Sequence, residues 1–242
     1  MPNRLKINYI TMKRLTLLAT AILVFVSISN TKAQDYTIGT DNGINGQFTY
    51  PTPFGDYFKT QRMQFLYLAS ELSAAGMTSG FIDEIRWTVE ALPGGIDQTE
   101  GYTVKILSTG VSSLGLTTWE PGAMDVWGPE NYTPVVGVNT FVLDVPYFWD
   151  GSSNIIIEIC GGSPGGTFTK NAKCTWSGPL GFNGSHTYRS DIDPAPCSYT
   201  GIDYFEDSPG GPDYRPQVIF HTVPGLDCAV IPDLGVTNTT AT

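Results

Sequence analysis

The stretch that most constrains this chain is Phe141 to Cys160, FVLDVPYFWDGSSNIIIEIC. Phe141, Leu143 and Val145 fall on one face of its first arm, and Ile155, Ile157 and Ile159 on one face of its second, which is the two-residue period of a strand. Between the arms, Pro146 withholds a ladder donor and Asp150, Gly151, Ser152, Ser153 and Asn154 accept turn geometry, so the chain must reverse there. Two core strands joined by a reversal set the pattern for the rest.

The other runs follow the same period. Gln61 to Ala69 has apolar residues on both faces and reads as a strand covered on both sides. Phe81 to Glu90 sets Ile85, Trp87 and Val89 against Arg86, Thr88 and Glu90, so one face is buried and the other wet. Tyr102 to Leu107 repeats that alternation and is expected to pair with it in antiparallel fashion. Ala123 to Trp127, Thr167 to Trp176, Ser185 to Ser190 and Pro216 to Val223 supply further strands, whereas Asp35 to Gln47 reads as polar and turn-rich. Ser70 to Gly76 is the one helical stretch, with Ser70 as N-cap and Gly76 as stop. With 27 glycines, 17 prolines and only 15% charged residues in 242, the chain suits many short strands joined by turns. The expected fold is all-β, a two-sheet antiparallel jelly-roll sandwich with one short helix.

Met12 to Ala33 places Lys13 and Arg14 before an apolar run from Leu15 to Ile28, and Thr31 and Ala33 then match the −3 and −1 positions of a cleavage site. That run is shorter than the ~20 apolar residues a spanning helix needs. Residues 1–33 are therefore expected to be an upstream extension and signal peptide, 34–223 the sandwich, and 224–242 a linker and the opening strand of a further domain. The chain is expected to be secreted or on the outer cell surface, with no membrane insertion after cleavage. Residues 1–33 hold five of the 13 basic residues and none of the 23 acidic ones. The exported part is thus strongly acidic, which argues against a nucleic-acid partner, because phosphate selects clustered Lys and Arg.

Export permits disulfides, and Cys160 is expected to pair with Cys197, leaving Cys174 and Cys228 paired or free. Gly161 to Gly165 matches G-x-S-x-G around Ser163, but a nucleophile elbow needs a helix after the serine and this sequence offers a turn. Asp144, Glu158, Asp203, Glu206 and Asp207 are the carboxylates a glycosidase pair would draw on, and nothing in the sequence brings two together. No catalytic residues are assigned. Asp191, Asp193, Asp203 and Asp213, or Asp41, Asn42 and Asn45, offer hard oxygen ligands on loops, so a structural calcium is the one cofactor considered. Trp119, Trp127, Trp149 and Trp176 are candidates for a sugar-binding platform, with core or rim packing as the alternative.

Several of these segments together resemble the jelly-roll module at the front of secreted, multidomain Bacteroidetes proteins exported by type IX secretion. They are Tyr50 to Phe54 (YPTPF), Gln64 to Gly76, Phe81 to Thr88, Tyr132 to Pro134, Asn139 to Phe141, Phe148 to Cys160, and Arg215, Pro216 and Phe220. Leu234 to Thr242 is similar to the opening strand of a fibronectin type III domain. The resemblance implies a galactose-binding-like sandwich and a non-catalytic role in adhesion or attachment to an extracellular or cell-surface glycan or protein. The alternative is a carbohydrate-binding accessory module of a secreted hydrolase.

Overall fold

The computed structural model describes residues 33–94, 98–163, 166, 170–201 and 211–223. Two compact units divide the chain at residue 32, and the described residues lie in the second. The expected signal segment, Asp203, Glu206, Asp207, Cys228 and the 224–242 segment lie outside them.

The alternating runs form strands β1 (Gln34–Ile38), β2 (Thr60–Tyr67), β3 (Gly80–Ala91), β4 (Thr99–Thr109), β5 (Met124–Tyr132), β6 (Gly137–Trp149), β7 (Asn154–Gly162), β8 (Lys173–Cys174), β9 (Trp176–Ser177), β10 (Ser185–Ser190), β11 (Arg215–Pro216) and β12 (Val218–Val223). One sheet runs β1-β12-β3-β6, with β8 also on β3, and the other runs β10-β2-β7-β4-β5. Every pairing between these strands is antiparallel. With β8 to β11 set aside and the other eight strands renumbered in chain order, the two sheets read 1-8-3-6 and 2-7-4-5, the interleaving of a jelly roll, and β10 adds a further strand beside β2.

This topology corrects two expectations. β3 and β4 do not pair, because β3 lies between β12 and β6 while β4 lies between β7 and β5. The two arms of the Phe141 to Cys160 stretch likewise belong to different sheets, so its reversal is a crossing over the core. Alternation reports which face is buried and is silent on which strand lies alongside. Asp35 to Gln47 also hides a strand: Tyr36 and Ile38 point into the core while β1 pairs with β12 from Gln34↔Thr222 to Ile38↔Val218.

The main core fills the space between the sheets. Met63, Phe65 and Tyr67 of β2, Ile155, Ile157 and Ile159 of β7, and Tyr102, Val104 and Ile106 of β4 face Ile85 and Trp87 of β3, Phe141 of β6 and Phe220 of β12. Val145 is not part of it, being more than half exposed, and the β3–β6 register shifts just there, between Val142 and Tyr147. A second, smaller core of Leu66, Leu107, Leu114 and Ile156 lies on the opposite face of the β2 sheet. That is why β2 and most of β7 are buried on both faces.

The helix α1 spans Ala69–Ala74 and its N-cap is Leu68, not Ser70. Leu68 N–H donates to Glu71 Oε2 at 2.8 Å, so a carboxylate three residues on supplies the cap the leucine lacks. Glu71 is held by Arg215, which is fully buried beside the Tyr67 ring.

Candidate functional site

The outer face of the β2–β7–β4 sheet gathers most of the polar chemistry of the molecule. Outward positions on neighbouring strands place Arg62 and Gln64 of β2 beside Glu158 of β7 and Lys105 of β4. Glu158 Oε2 accepts from Arg62 Nη2 and Gln64 Nε2, each at 2.8 Å. Lys105 Nζ lies 3.8 Å from Glu158 Oε1 and 3.3 Å from Asp125. Gln64 also donates to the Glu120 carbonyl and accepts from the Glu120 N–H. The glutamate is 1% exposed, and these partners compensate the charge that burial would otherwise penalise. A carboxylate engaged in this way is held as an anchor between strands, and Lys105 stands between it and the Asp125 carboxylate.

Two loops close over this cluster. Trp119 stacks on His186 of β10 at 4.1 Å between ring centroids and on the Arg62 guanidinium at 4.3 Å, and its Nε1 donates to the Gly201 carbonyl. His186 Nδ1 meets the Thr118 carbonyl at 3.1 Å, and its buried Nε2 has no protein partner. Burial, with Arg62 nearby, holds this imidazole below its ordinary pKa. Cys160 and Cys197 form a disulfide, as expected, which ties the 3-10 turn Pro196–Ser198 onto β7. Tyr199 then stacks on Tyr188, whose hydroxyl donates to Asp193 Oδ2 at 2.9 Å.

The four tryptophans do not share a platform. Trp149 is fully buried and donates Nε1 to the Ser153 carbonyl, and Trp176 is buried and donates to the Pro51 carbonyl. Trp127 packs against Phe141 and Tyr132 at the end of the core. Only Trp119 lies on the outer face of its sheet, with its ring already stacked on His186 and Arg62. The indole N–H groups of Trp119, Trp149 and Trp176 find carbonyls inside the protein, and Trp127 packs among aromatic rings, so each of the four is engaged in packing.

The aspartates also separate. Asp191 accepts from Lys59 N–H, and Asp193 accepts from Tyr188 and from Ala195 N–H. Among the described residues no three of His, Cys, Asp and Glu converge, so Asp191, Asp193 and Asp213 form no cation cluster. Asn45 is likewise engaged, donating to the Ala172 carbonyl and accepting from Cys174 N–H. Ser163 donates Oγ to the Gln98 carbonyl at 2.7 Å. The two histidines lie elsewhere, His186 under Trp119 and His221 against Asp83, so no triad forms around the serine. Cys174 is a free, buried thiol that burial pushes up to about 12.

Two features stand outside these networks. The first is a pocket of about 410 Å³ between the ends of β2, β4 and β7 and the disulfide-tied turn, lined among others by Glu100, Gly101, Gly162, Pro194, Ala195 and Pro196. The second is the β6 edge. There Val138, Val142, Val145 and Phe148 are each more than half exposed, continuous with Val135 and Val136 before the strand and with Phe81 on β3, whose ring lies 5.3 Å from that of Phe148. No pattern in the sequence marks the pocket, because its floor is bulged backbone. Within β6, Val138, Val142 and Phe148 lie at even positions opposite the core-facing Phe141 and Leu143, whereas Val145 was expected on the core face and joins the strip because the register shifts beside it.

No family model, curated protein or solved structure matches this chain.

Proposed function

We propose that this chain is an exported, non-catalytic β-sandwich module that attaches to a protein partner at the cell surface, as the front part of a larger protein. The observation that carries this reading is the β6 edge. Among the described residues β6 has a ladder partner on one side only, β3, and its sequence Gly137–Trp149 contains a single charged residue, Asp144, which accepts from Gly128 N–H of the nearby β5. Natural sheets guard such edges with lysine, proline or a covering loop, because unpaired N–H and C=O groups beside apolar side chains recruit another strand. Pro146 interrupts only the second half. Val138 to Val142 carries no charge and has no second ladder partner among the described residues, which suits an extended, apolar strand from another protein.

The engagement of Glu158 by Arg62, Gln64 and Lys105 and the internal bond of Ser163 support the non-catalytic part of the reading. The apolar run with a small-residue cleavage site supports export, and the likeness of Leu234 to Thr242 to a fibronectin type III strand supports a following domain. The glycan alternative loses the tryptophan platform that motivated it.

A photo-crosslinking residue at position 142 of the full chain, expressed in its own host, tests the proposal. Activation on intact cells is expected to give a discrete protein adduct, which disappears when Val138 is changed to Lys. Absence of any adduct with the folded chain, or one unchanged by Val138→Lys, would overturn attachment through β6.

A further inference from the structure

The pocket at the disulfide-tied turn exists because of a defect in the ladder. Opposite Glu100↔Gly162 the next pair is Thr103↔Cys160, so β4 carries one residue more than β7, and the bulge falls at Gly101, whose φ is +59°. The same slip appears against β5, between Thr99↔Tyr132 and Tyr102↔Glu130. A bulge of this kind re-aims the side chain beside it. On the outer face it leaves Gly101 and Gly162 adjacent with no side chain to fill the space. A Cβ on Gly162 would come within 2.5 Å of the Lys59 carbonyl, so the close approach of β2 requires glycine there, whereas a Cβ on Gly101 would meet nothing within 4 Å and the space lies open beside it. Above it, Pro194, Ala195 and Pro196 arch over, fixed by the Cys160–Cys197 bond with its Cα atoms 5.1 Å apart. A sheet without side chains under a pinned, proline-rich turn encloses a space that falls in the size range of ligand pockets.

Its polar groups are mostly spent. Thr60 Oγ1 donates to the Ser190 carbonyl and Ser198 Oγ to the Ala195 carbonyl. The exception is Glu100, exposed at the rim, whose carboxylate has no ion-pair partner among the described residues. An apolar slot with one unpaired carboxylate at its mouth is complementary to a short hydrocarbon stem ending in a cation. The excess of 23 acidic over 13 basic residues favours the approach of such a group.

We propose that this pocket binds an alkylammonium group, the end that a lysine side chain of a partner polypeptide presents, with the stem against Pro194, Ala195 and Pro196 and the ammonium donating to Glu100. This site is separate from the β6 edge and stands or falls without it.

The experiment is amide NMR of the full chain titrated with n-butylammonium chloride and, in parallel, with 1-butanol. Butylammonium is expected to give saturable shifts centred on Glu100, Gly101, Gly162 and Ser198. Glu100→Gln should weaken it about fivefold while leaving butanol unchanged, the scale of one exposed ion pair. Ala195→Phe, which fills the slot from its open side, should abolish both. Shifts that do not saturate or lie elsewhere, equal affinity for the two probes, or equal affinity in wild type and Glu100→Gln would each overturn the proposal. Glu100 is exposed, so that variant folds and remains decisive if Ala195→Phe does not.

Discussion

At the scale of single residues, the outer face of the β2 sheet behaves as a buried polar core, and its energetics follow from what each group would lose. Removing Arg62 would leave Glu158 buried with a weaker set of partners, and uncompensated buried charge typically costs about 3 to 5 kcal/mol. Arg62→Ala is therefore expected to lower the unfolding free energy from urea titration by up to that amount, Gln64 and Lys105 still contacting Glu158, whereas Arg62→Ala combined with Glu158→Leu should recover most of the loss. Equal destabilisation by the single and double variants would show that the charge is not what matters. His186 adds a pH dependence. Its folded-state pKa lies below the ordinary 6.5, so between these values the unfolded chain binds a proton that the folded chain refuses. The neutral imidazole's contribution is then fully present above pH 6.5 and is lost as pH falls through the depressed value, at up to ~1.4 kcal/mol per pH unit. The groups facing it are Arg62, the Thr118 carbonyl and the Trp119 ring, and none is an acid that would welcome the imidazolium. Urea titrations from about pH 7.5 to 5 should show wild type losing more stability than His186→Asn; parallel curves would exclude His186 as the source.

At the scale of elements, the alternating runs identified β2, β3, β6, β7, β10 and β12 because each buries a face, and burial is written into the order of residues. Partners were not legible. Ile85, Trp87 and Val89 of β3 need an apolar surface opposite and are equally content with β12 and β6 as with β4. β1 escaped notice because only Tyr36 and Ile38 face inward among polar neighbours, and its pairing comes from β12, 180 residues away in the chain. The cap of α1 was misplaced because Ser70 looks like an N-cap, yet Glu71 reaches back to Leu68 while holding Arg215. The disulfide was legible from cysteine placement and compartment. It closes a segment of 37 residues, for which loss of loop entropy in the unfolded chain gives about 4 kcal/mol. Cys197→Ala is expected to lower the urea midpoint accordingly and to speed proteolysis within Asp191 to Tyr199. A midpoint unchanged by both Cys197→Ala and reductant would mean that the turn is held without the disulfide, by contacts such as the stacking of Tyr199 on Tyr188 and the Asp193 bonds.

At the scale of the whole molecule, the expected leader would link the first strand and the disulfide in one chain of dependence. The cleavage site read from Thr31 and Ala33 would release a chain beginning at Gln34, and Gln34 is also the first residue of β1, paired with Thr222. The proposed mature end is thus already an edge strand, with no spare residues between the cut and the sheet. Passage to an oxidising compartment would then supply the Cys160–Cys197 bond, which a reducing cytosol withholds. Two versions of the chain separate these effects: the natural sequence, collected after export by its own host, and one starting at Gln34 after an initiator Met, made in a reducing cytosol. The exported form is expected to begin at Gln34 by mass spectrometry and to carry the disulfide. The cytosolic form should contain free thiols and unfold at a lower urea concentration by the increment of Cys197→Ala, and oxidation after purification should restore it. An exported chain beginning beyond Ile38 would have lost β1 and would refute the boundary. A reduced chain as stable as the exported one would break the link between compartment and fold.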